Sequence, residues 1–394
     1  MRPSKLLRNY LRFWARIYLQ RAQPQIVAVT GSAGKTSAKE AIFAVLKIRF
    51  GKKVRKSYGN LNTQNGVGLA VLGFKKSPAI FYQWLWPLIS SPLMAYLGKK
   101  VKFLVLEIAA DKPGDIGFIT SFIKPDIVVL TNIGPAHLEI FGSMENLIKE
   151  KMTLLEALKS DGWVVLNVDD KELKKLKNNL KNIKTFAIYE SADVMAKNIQ
   201  TKIINFQPKT DLTIKTSVDE FSLFLNTLGG VGNVYAALAA VSCGEIFKID
   251  QKDMTKGLLE IQSEKHRLQV FEGKNKSVLI DDAYNANPLS MKVALDVLRK
   301  TEGSRKIAVL GDMLELGTIK EEAHQLIGKY AAESADEVLA IGPLAKLYGA
   351  KKHFEKQAEV IAYLLGEIQK GDIILIKASR GMGLEKIVEA LKAD

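Results

Sequence analysis

A chain of 394 residues has room for two or three domains, and 47% hydrophobic with 25% charged residues describes a globular protein with a sizeable core. The single cysteine, Cys243, excludes an intramolecular disulfide framework and a cysteine-only zinc site, and it suits a reducing compartment. The net charge of +15 is local: residues 1–56 hold fourteen Lys/Arg against one acid, Glu40, so the other 338 residues carry only +2, which argues against a chain-wide nucleic-acid surface.

In chain order, residues 4–21 read as an amphipathic helix. Leu6, Leu7, Tyr10, Phe13, Trp14 and Ile17 fall on one side, with Lys5, Arg8, Arg12 and Arg16 on the other. Such a helix is either an interfacial membrane anchor or an element whose apolar stripe packs on the next domain. Charges recur along it, unlike the long apolar core of a secretory signal. Residues 26–29 form a short apolar strand. The turn Thr30-Gly31-Ser32-Ala33-Gly34-Lys35-Thr36 follows, then a helix to about residue 48. A glycine turn between strand and helix lets backbone N–H groups wrap a phosphate at the positive helix end. Lys35 then reaches the β/γ-phosphates and the Thr36 hydroxyl reaches Mg²⁺. The loop is a compact variant, because Val29 stands where the common signature has its first glycine. A purely structural glycine turn is the alternative.

Residues 77–98 contain no charge and lie between Lys75-Lys76 and Lys99-Lys100. Their length nominates a transmembrane helix. Pro78, Pro87 and Pro92 argue against one, and a span would put Lys35 and Glu107 on opposite sides of a bilayer. The pattern predicts two short apolar helices broken near Pro87, covering the domain or dipping into an interface. Residues 101–108, 126–132 and 162–168 read as buried parallel strands, with a helix over 143–159. Residues 194–228 alternate with period two, as a small β-meander does. Residues 233–247 form an Ala-rich helix in which Cys243 is a core residue. A second α/β unit begins near 264. Its strands fall at 277–281, 306–310, 337–341 and 372–377, and its helices at about 288–300, 319–332, 356–369 and 383–392. The expected division is a basic helix over 1–24, a P-loop-containing central domain with a mostly parallel sheet over 25–263, and a Rossmann-like α/β domain over 264–394.

Polar residues gather where strands end, the usual ligand side of such sheets. Glu107 closes one strand; Thr131 and Asn132 close the next, with His137 just beyond. A carboxylate and an imidazole beside a phosphate loop can serve Mg²⁺, although a cap or a loop hydrogen bond explains either alone. His266-Arg267, Asp281-Asp282-Ala-Tyr284-Asn285-Ala-Asn287-Pro288 and Lys377-Ala-Ser379-Arg380 follow in the second unit. Each has a plain alternative: salt bridge, helix cap or solvated charge.

Taken in order, these motifs resemble the Mur ligases, ATP-dependent amide-forming enzymes of peptidoglycan synthesis. The resemblance rests on TGSAGKTSAKE (30–40), GNLNTQNGVG (59–68), LEIAADKPGDI (106–116), LTNIGPAHLEIFGS (130–143), LNVDD (166–170), IDDAYNANPLSM (280–291), LGDMLELG (310–317) and KASRGMGLE (377–385). DDAYNANP with LGDMLELG points to the branch that joins D-alanyl-D-alanine to a UDP-N-acetylmuramoyl tripeptide. The resemblance implies that Gly31, Ser32, Ala33, Gly34, Lys35, Thr36 and Ser37 hold ATP phosphates, with Asn233 beside adenine, Arg267 near the phosphates and Asp282 at the ribose. It implies two Mg²⁺ ions served by Thr36, Glu107, His137 and a carbamylated Lys151, and Lys35, Glu107, His137 and Lys151 as the catalytic set. Asn62, Thr63, Tyr284, Asn285, Asn287, Lys377, Ser379 and Arg380 match substrate-facing positions.

The sequence departs from the family in three places. The uridine-gripping domain normally precedes the loop, where this chain has about twenty-five residues. The Gly-x-His-Asn of the family is Gly230-Val-Gly232-Asn233 here, with Ala236 in place of a later asparagine. The usual Gly and Glu after Lys151 are Met152 and Thr153. The implied partners are a muramyl peptide and D-alanyl-D-alanine, in a cytoplasmic setting with peripheral membrane contact through 4–21 and 77–98 and without nucleic acid. The alternatives are a ligase for a different, lipid-linked acceptor and a nucleotide-binding scaffold without turnover.

Overall fold

The computed structural model describes residues 5–134, 138–228 and 230–393. The first of its two sheets takes strands β1 (Gln25–Thr30), β2 (Val54–Lys56), β3 (Phe103–Glu107), β4 (Ile127–Leu130), β5 (Trp163–Asn167), β6 (Ile183–Ala187), β7 (Val194–Ile204), β8 (Gln207–Thr216) and β9 (Glu220–Leu225). Their order is β2-β3-β1-β4-β5-β6-β7-β8-β9, parallel as far as β7 and antiparallel through the β7–β8–β9 meander. Successive side chains of a strand point to opposite faces. Ile26 and Ala28 therefore enter one core while Val27 and Val29 enter the other, and Leu104 and Leu106 part from Phe103 and Val105 in the same way. Burial on both faces makes these strands read as unbroken apolar runs.

Helices α1 (Lys5–Ala22) and α3 (Gln64–Leu72) cover one face of this sheet. Helix α2 (Lys35–Phe50) and the Ala-rich helix Val231–Ile246 cover the other, with Cys243 buried between them and the sheet. A linker near residues 260–268 leads to the second sheet: β10 (Gln269–Glu272), β11 (Val278–Asp281), β12 (Arg305–Gly311), β13 (Glu337–Ile341), β14 (Lys352–Phe354) and β15 (Asp372–Lys377). Its order is β10-β11-β15-β12-β13-β14, parallel except for β10 at the edge. The architecture is mixed α/β with a large, mostly parallel sheet and a second sheet. Sequence patterning overlooked β2, β6, β10, β14 and α3. β2, β10 and β14 are short edge strands, β6 begins with the half-buried Ile183 and Lys184, and the glycine-bearing α3 is buried almost all round, so it has no polar face to give it a period.

Helix α1 packs on the domain instead of standing free. Leu11, Ala15 and Tyr18 are buried, and Leu7, Tyr10, Trp14 and Ile17 lean on the same core, while Leu6 and Phe13 stay exposed. The apolar insertion corrects the expectation of a break at Pro87. A 3₁₀ turn, Phe81–Trp84, runs into one helix, α4 (Leu85–Leu97). Pro87 falls in the first turn, where a missing N–H leaves no helical bond unmade. Pro92 is interior and cannot donate to the Leu88 carbonyl; the Tyr10 hydroxyl donates to it instead, at 2.5 Å. Among the described residues no helix is long and apolar enough to cross a membrane.

Candidate active site

Strand register builds the site. Val29 lies opposite Glu107 and Thr30 opposite Leu130, so the loop after β1, the Glu107 carboxylate and the segment after β4 emerge side by side at the carboxyl edge of the sheet. Two glycines shape the loop. Gly31 has φ +150°, and a Cβ there would lie 2.0 Å from Thr131 Oγ1; Gly34 has φ +75° and begins helix α2. The Asn132 carboxamide reads the loop from outside. Its Oδ1 accepts from the Ser32 and Ala33 amides at 3.1 and 2.7 Å, and its Nδ2 donates to the Ala33 carbonyl at 3.1 Å. The Thr131 hydroxyl donates to the same carbonyl at 2.7 Å. Behind them, Asn167 Nδ2 donates to the Thr131 carbonyl at 2.9 Å and Asp170 Oδ2 accepts from the Ile133 amide at 2.7 Å. The LTNIG and LNVDD motifs thus brace the loop. Sequence reasoning noticed that these residues end strands and missed what they hold.

The charged groups of the loop are crowded. Lys35 Nζ folds back to the Gly31 carbonyl at 2.8 Å, and burial pushes its pKa down against the opposing pull of Glu107. Lys151, carried on helix Met144–Glu156, reaches the same carbonyl at 3.0 Å. Burial first, then the charge of Lys35, lowers its pKa to about 7. Its neighbour Glu150 accepts from the Gly114 and Ile116 amides at 2.8 and 2.7 Å and so holds the start of the short helix Asp115–Thr120. Glu107 is held by Asn62 Nδ2 at 2.9 Å on Oε1, while its buried Oε2 has no hydrogen-bond partner. Lys39, also missed from sequence, is fully buried on α2. Its ammonium lies 3.3 Å from Glu40, 3.6 Å from Glu107 and 4.0 Å from Glu264, without a hydrogen bond. Thr36 and Ser37 open α2, and Thr63 caps α3 through its backbone alone. His137 lies outside the described residues. Among the described residues, no three or more His, Cys, Asp and Glu side chains gather into a metal cage.

Ser37, Asn233, Gln262, Glu264 and Arg267 line one crevice beside the loop, so the residues expected around the nucleotide base and phosphates face a common space. Asn233 Nδ2 ties to the Leu228 carbonyl at 2.8 Å. The second domain contributes a cationic edge. The Arg267 and Arg380 guanidinium groups lie 4.3 and 5.5 Å from the Tyr284 ring, and the Tyr284 hydroxyl donates to Asn60 of the first domain at 3.0 Å.

Other expected substrate residues turn inward. Lys377 is buried against Asp282 at 2.5 Å and also donates to the Asn285 carbonyl. Burial raises the Asp282 pKa while Lys377 pulls it down; the other Asp282 oxygen accepts from the Leu268 amide at 3.2 Å. This pair braces the linker, and it leaves Lys377 no open face toward a ligand. Ser379 Oγ accepts from the Leu314 amide at 2.8 Å, joining the LGDMLELG and KASRG loops. Asn287 caps helix Pro288–Lys300 by accepting from the Ser290 amide at 2.8 Å, the plain role open to it from the start. Asn285 is exposed, with its side chain bonded to the Ala286 amide.

Comparison with known proteins agrees with this arrangement. Residues 29–244 match the Mur ligase middle domain and residues 266–380 the Mur ligase, glutamate ligase domain. The UDP-N-acetylmuramoyl-tripeptide–D-alanyl-D-alanine ligase of Bacillus subtilis (strain 168) is 33% identical over 96% of this chain and 78% of its own length. The enzyme of the same name from Escherichia coli (strain K12) is 28% identical over 100% of this chain and 82% of its own. Among solved structures, MurF ligase from Thermotoga maritima in complex with ADP superposes with a TM-score of 0.83 at 28% identity, covering 97% of this chain and 83% of that one. A glycine loop between strand and helix, its bracing motifs and two matching domains in one order lead to a single conclusion: this chain belongs to the Mur ligase family.

Proposed function

We propose that the chain is an ATP-dependent ligase that adds D-alanyl-D-alanine to a UDP-N-acetylmuramoyl tripeptide. The observation that carries this reading is the convergence of Lys35, Glu107 and the buried Lys151 on one loop, with Arg267 lining the crevice beside it. The peptide carboxylate takes the terminal phosphoryl group of ATP, releasing ADP and leaving an acyl phosphate. The amine of D-alanyl-D-alanine then attacks the acyl carbon, its nitrogen loses a proton, and phosphate departs. Such chemistry depends on positioning and on charge neutralisation. Backbone amides of the loop and Lys35 hold the phosphates, Asn233, Ser37 and Arg267 line the nucleotide side, and Arg380 receives the anionic peptide end.

The Glu107 Oε2 atom, buried without a hydrogen-bond partner, and the Thr36 hydroxyl fit Mg²⁺, which is usually held by one or two carboxylates together with phosphate oxygens. Bound there, the ion would neutralise charge between phosphoryl oxygens. A lysine whose pKa is lowered to about 7 is partly deprotonated at physiological pH and can add to carbon dioxide; a carbamate on Lys151 would supply oxygens for a second ion. His137 keeps its expected metal-binding role in this reading, whereas Asp282 acts by bracing the linker and not as a ribose contact. We place the reaction at the cytoplasmic side of the cell. Purified protein given ATP, Mg²⁺, the tripeptide and D-alanyl-D-alanine is expected to release ADP and phosphate only when both substrates are present. Equal turnover without them sinks the proposal.

A further inference from the structure

Helix α4 is built inside out. Its inward face carries Pro87, Ser90, Ser91 and Ala95, the two serine hydroxyls being bonded to the carbonyls of Trp86 and Pro87. Most of its large side chains face away from the protein: Leu85, Trp86, Ile89, Leu93, Tyr96 and Leu97 are each at least 56% exposed, while Met94 leans on the core. Contiguous apolar surface of this kind marks an interaction site. Trp14 joins it to the outer face of α1, its ring lying 6.0 Å from Tyr96 and 5.0 Å from the exposed Phe13.

The surrounding charge identifies the occupant. The first 106 residues contain nineteen Lys/Arg and one acid, whereas the remainder contains 38 Lys/Arg and 41 Asp/Glu. That one acid, Glu40, is taken up by Lys39 and Lys56. Exposed Lys75 and Lys76 precede the apolar insertion and exposed Lys99 and Lys100 follow it, with Lys5 and Arg16 exposed on α1. Large apolar and aromatic side chains with cations at both ends and no anion complement an anionic lipid surface. With 13 residues α4 is about 20 Å long, too short to span the hydrocarbon core, so it lies in the interface. We propose that α4, with the outer face of α1, docks this protein onto the headgroup region of an anionic bilayer.

The test is flotation of the full chain with mixed phosphatidylglycerol–phosphatidylcholine vesicles and with pure phosphatidylcholine vesicles. Binding to the anionic vesicles is expected, weakened by salt, with the Trp86→Ser/Ile89→Ser/Leu93→Ser variant bound about tenfold or more weakly. These positions touch no part of the ligase site, so the variant should keep its melting temperature and its ADP release. A measurement that needs no such variant accompanies it: brominated anionic lipid should quench the tryptophan fluorescence of the unsubstituted protein, and less so after Trp86→Phe. The proposal is overturned if anionic vesicles do not bind, or if the triple variant binds as tightly as the unsubstituted chain. It is equally overturned if light scattering finds a dimer that the triple variant dissolves while vesicles stay unbound. The readout is independent of ATP turnover, so it stands or falls apart from the ligase reading.

Discussion

Lys151 carries a stability cost. The folded protein holds it near pKa 7 against an ordinary value of 10.5, mainly because its ammonium is buried. At about 1.36 kcal/mol per pKa unit, that gap is roughly 5 kcal/mol. Below pH 7 both folded and unfolded chains hold the proton and the whole penalty is present. Between pH 7 and 10.5 the folded chain has released a proton that the unfolded chain keeps, so stability climbs with pH; above that window the penalty is gone. Lys151→Met fills the same space without a charge and loses the bond to the Gly31 carbonyl, which contributes about 1 kcal/mol. The variant is therefore expected to be about 4 kcal/mol more stable near pH 7, falling to about 1 kcal/mol near pH 9, and inactive as a ligase. Urea unfolding followed by circular dichroism in bicarbonate-free buffers measures the difference. A difference that stays constant across that range would refute the assignment of Lys151 as a buried, near-neutral amine.

Other perturbations test the remaining parts of the site and its support. Gly31→Ala forces a Cβ onto Thr131 Oγ1 and should abolish binding of a fluorescent ATP analogue, with a loss of about 2 kcal/mol or more in stability; retained affinity would mean the loop does not hold the phosphates in this shape. Lys39→Met leaves Glu107, Glu40 and Glu264 facing one another with less compensation and should cost about 3–5 kcal/mol in denaturant unfolding. Tyr10→Phe strands the Leu88 carbonyl opposite Pro92 and should cost about 1–3 kcal/mol. The loss should shrink when Pro92→Ala restores a backbone donor, and a double-mutant cycle without coupling contradicts that account.

The order of most strands and helices, the glycine turn after β1 and the two sheets were legible in the sequence. Local patterns encode them: apolar runs for strands buried on both faces, glycines where the backbone turns left-handed, Asn-Pro at a helix start. Family motifs drew attention to Glu107, Lys151 and Arg267, and the structure brings Glu107 and Lys151 to the loop after β1 and Arg267 to the crevice beside it. Side-chain pairing over long separations was not legible. Nothing in the spelling of LTNIG or LNVDD tells that Asn132, Asn167 and Asp170 brace a loop a hundred or more residues earlier, and Lys39 looks like any solvated lysine on a helix. Lys377 and Asp282 looked like ligand contacts and prove to bury each other. The orientation of α1 and α4 was equally hidden. Periodicity locates an apolar stripe, but only the tertiary structure decides whether the stripe meets a core, as most of α1 does, or faces outward, as α4 does, because the competing surfaces come from distant parts of the chain.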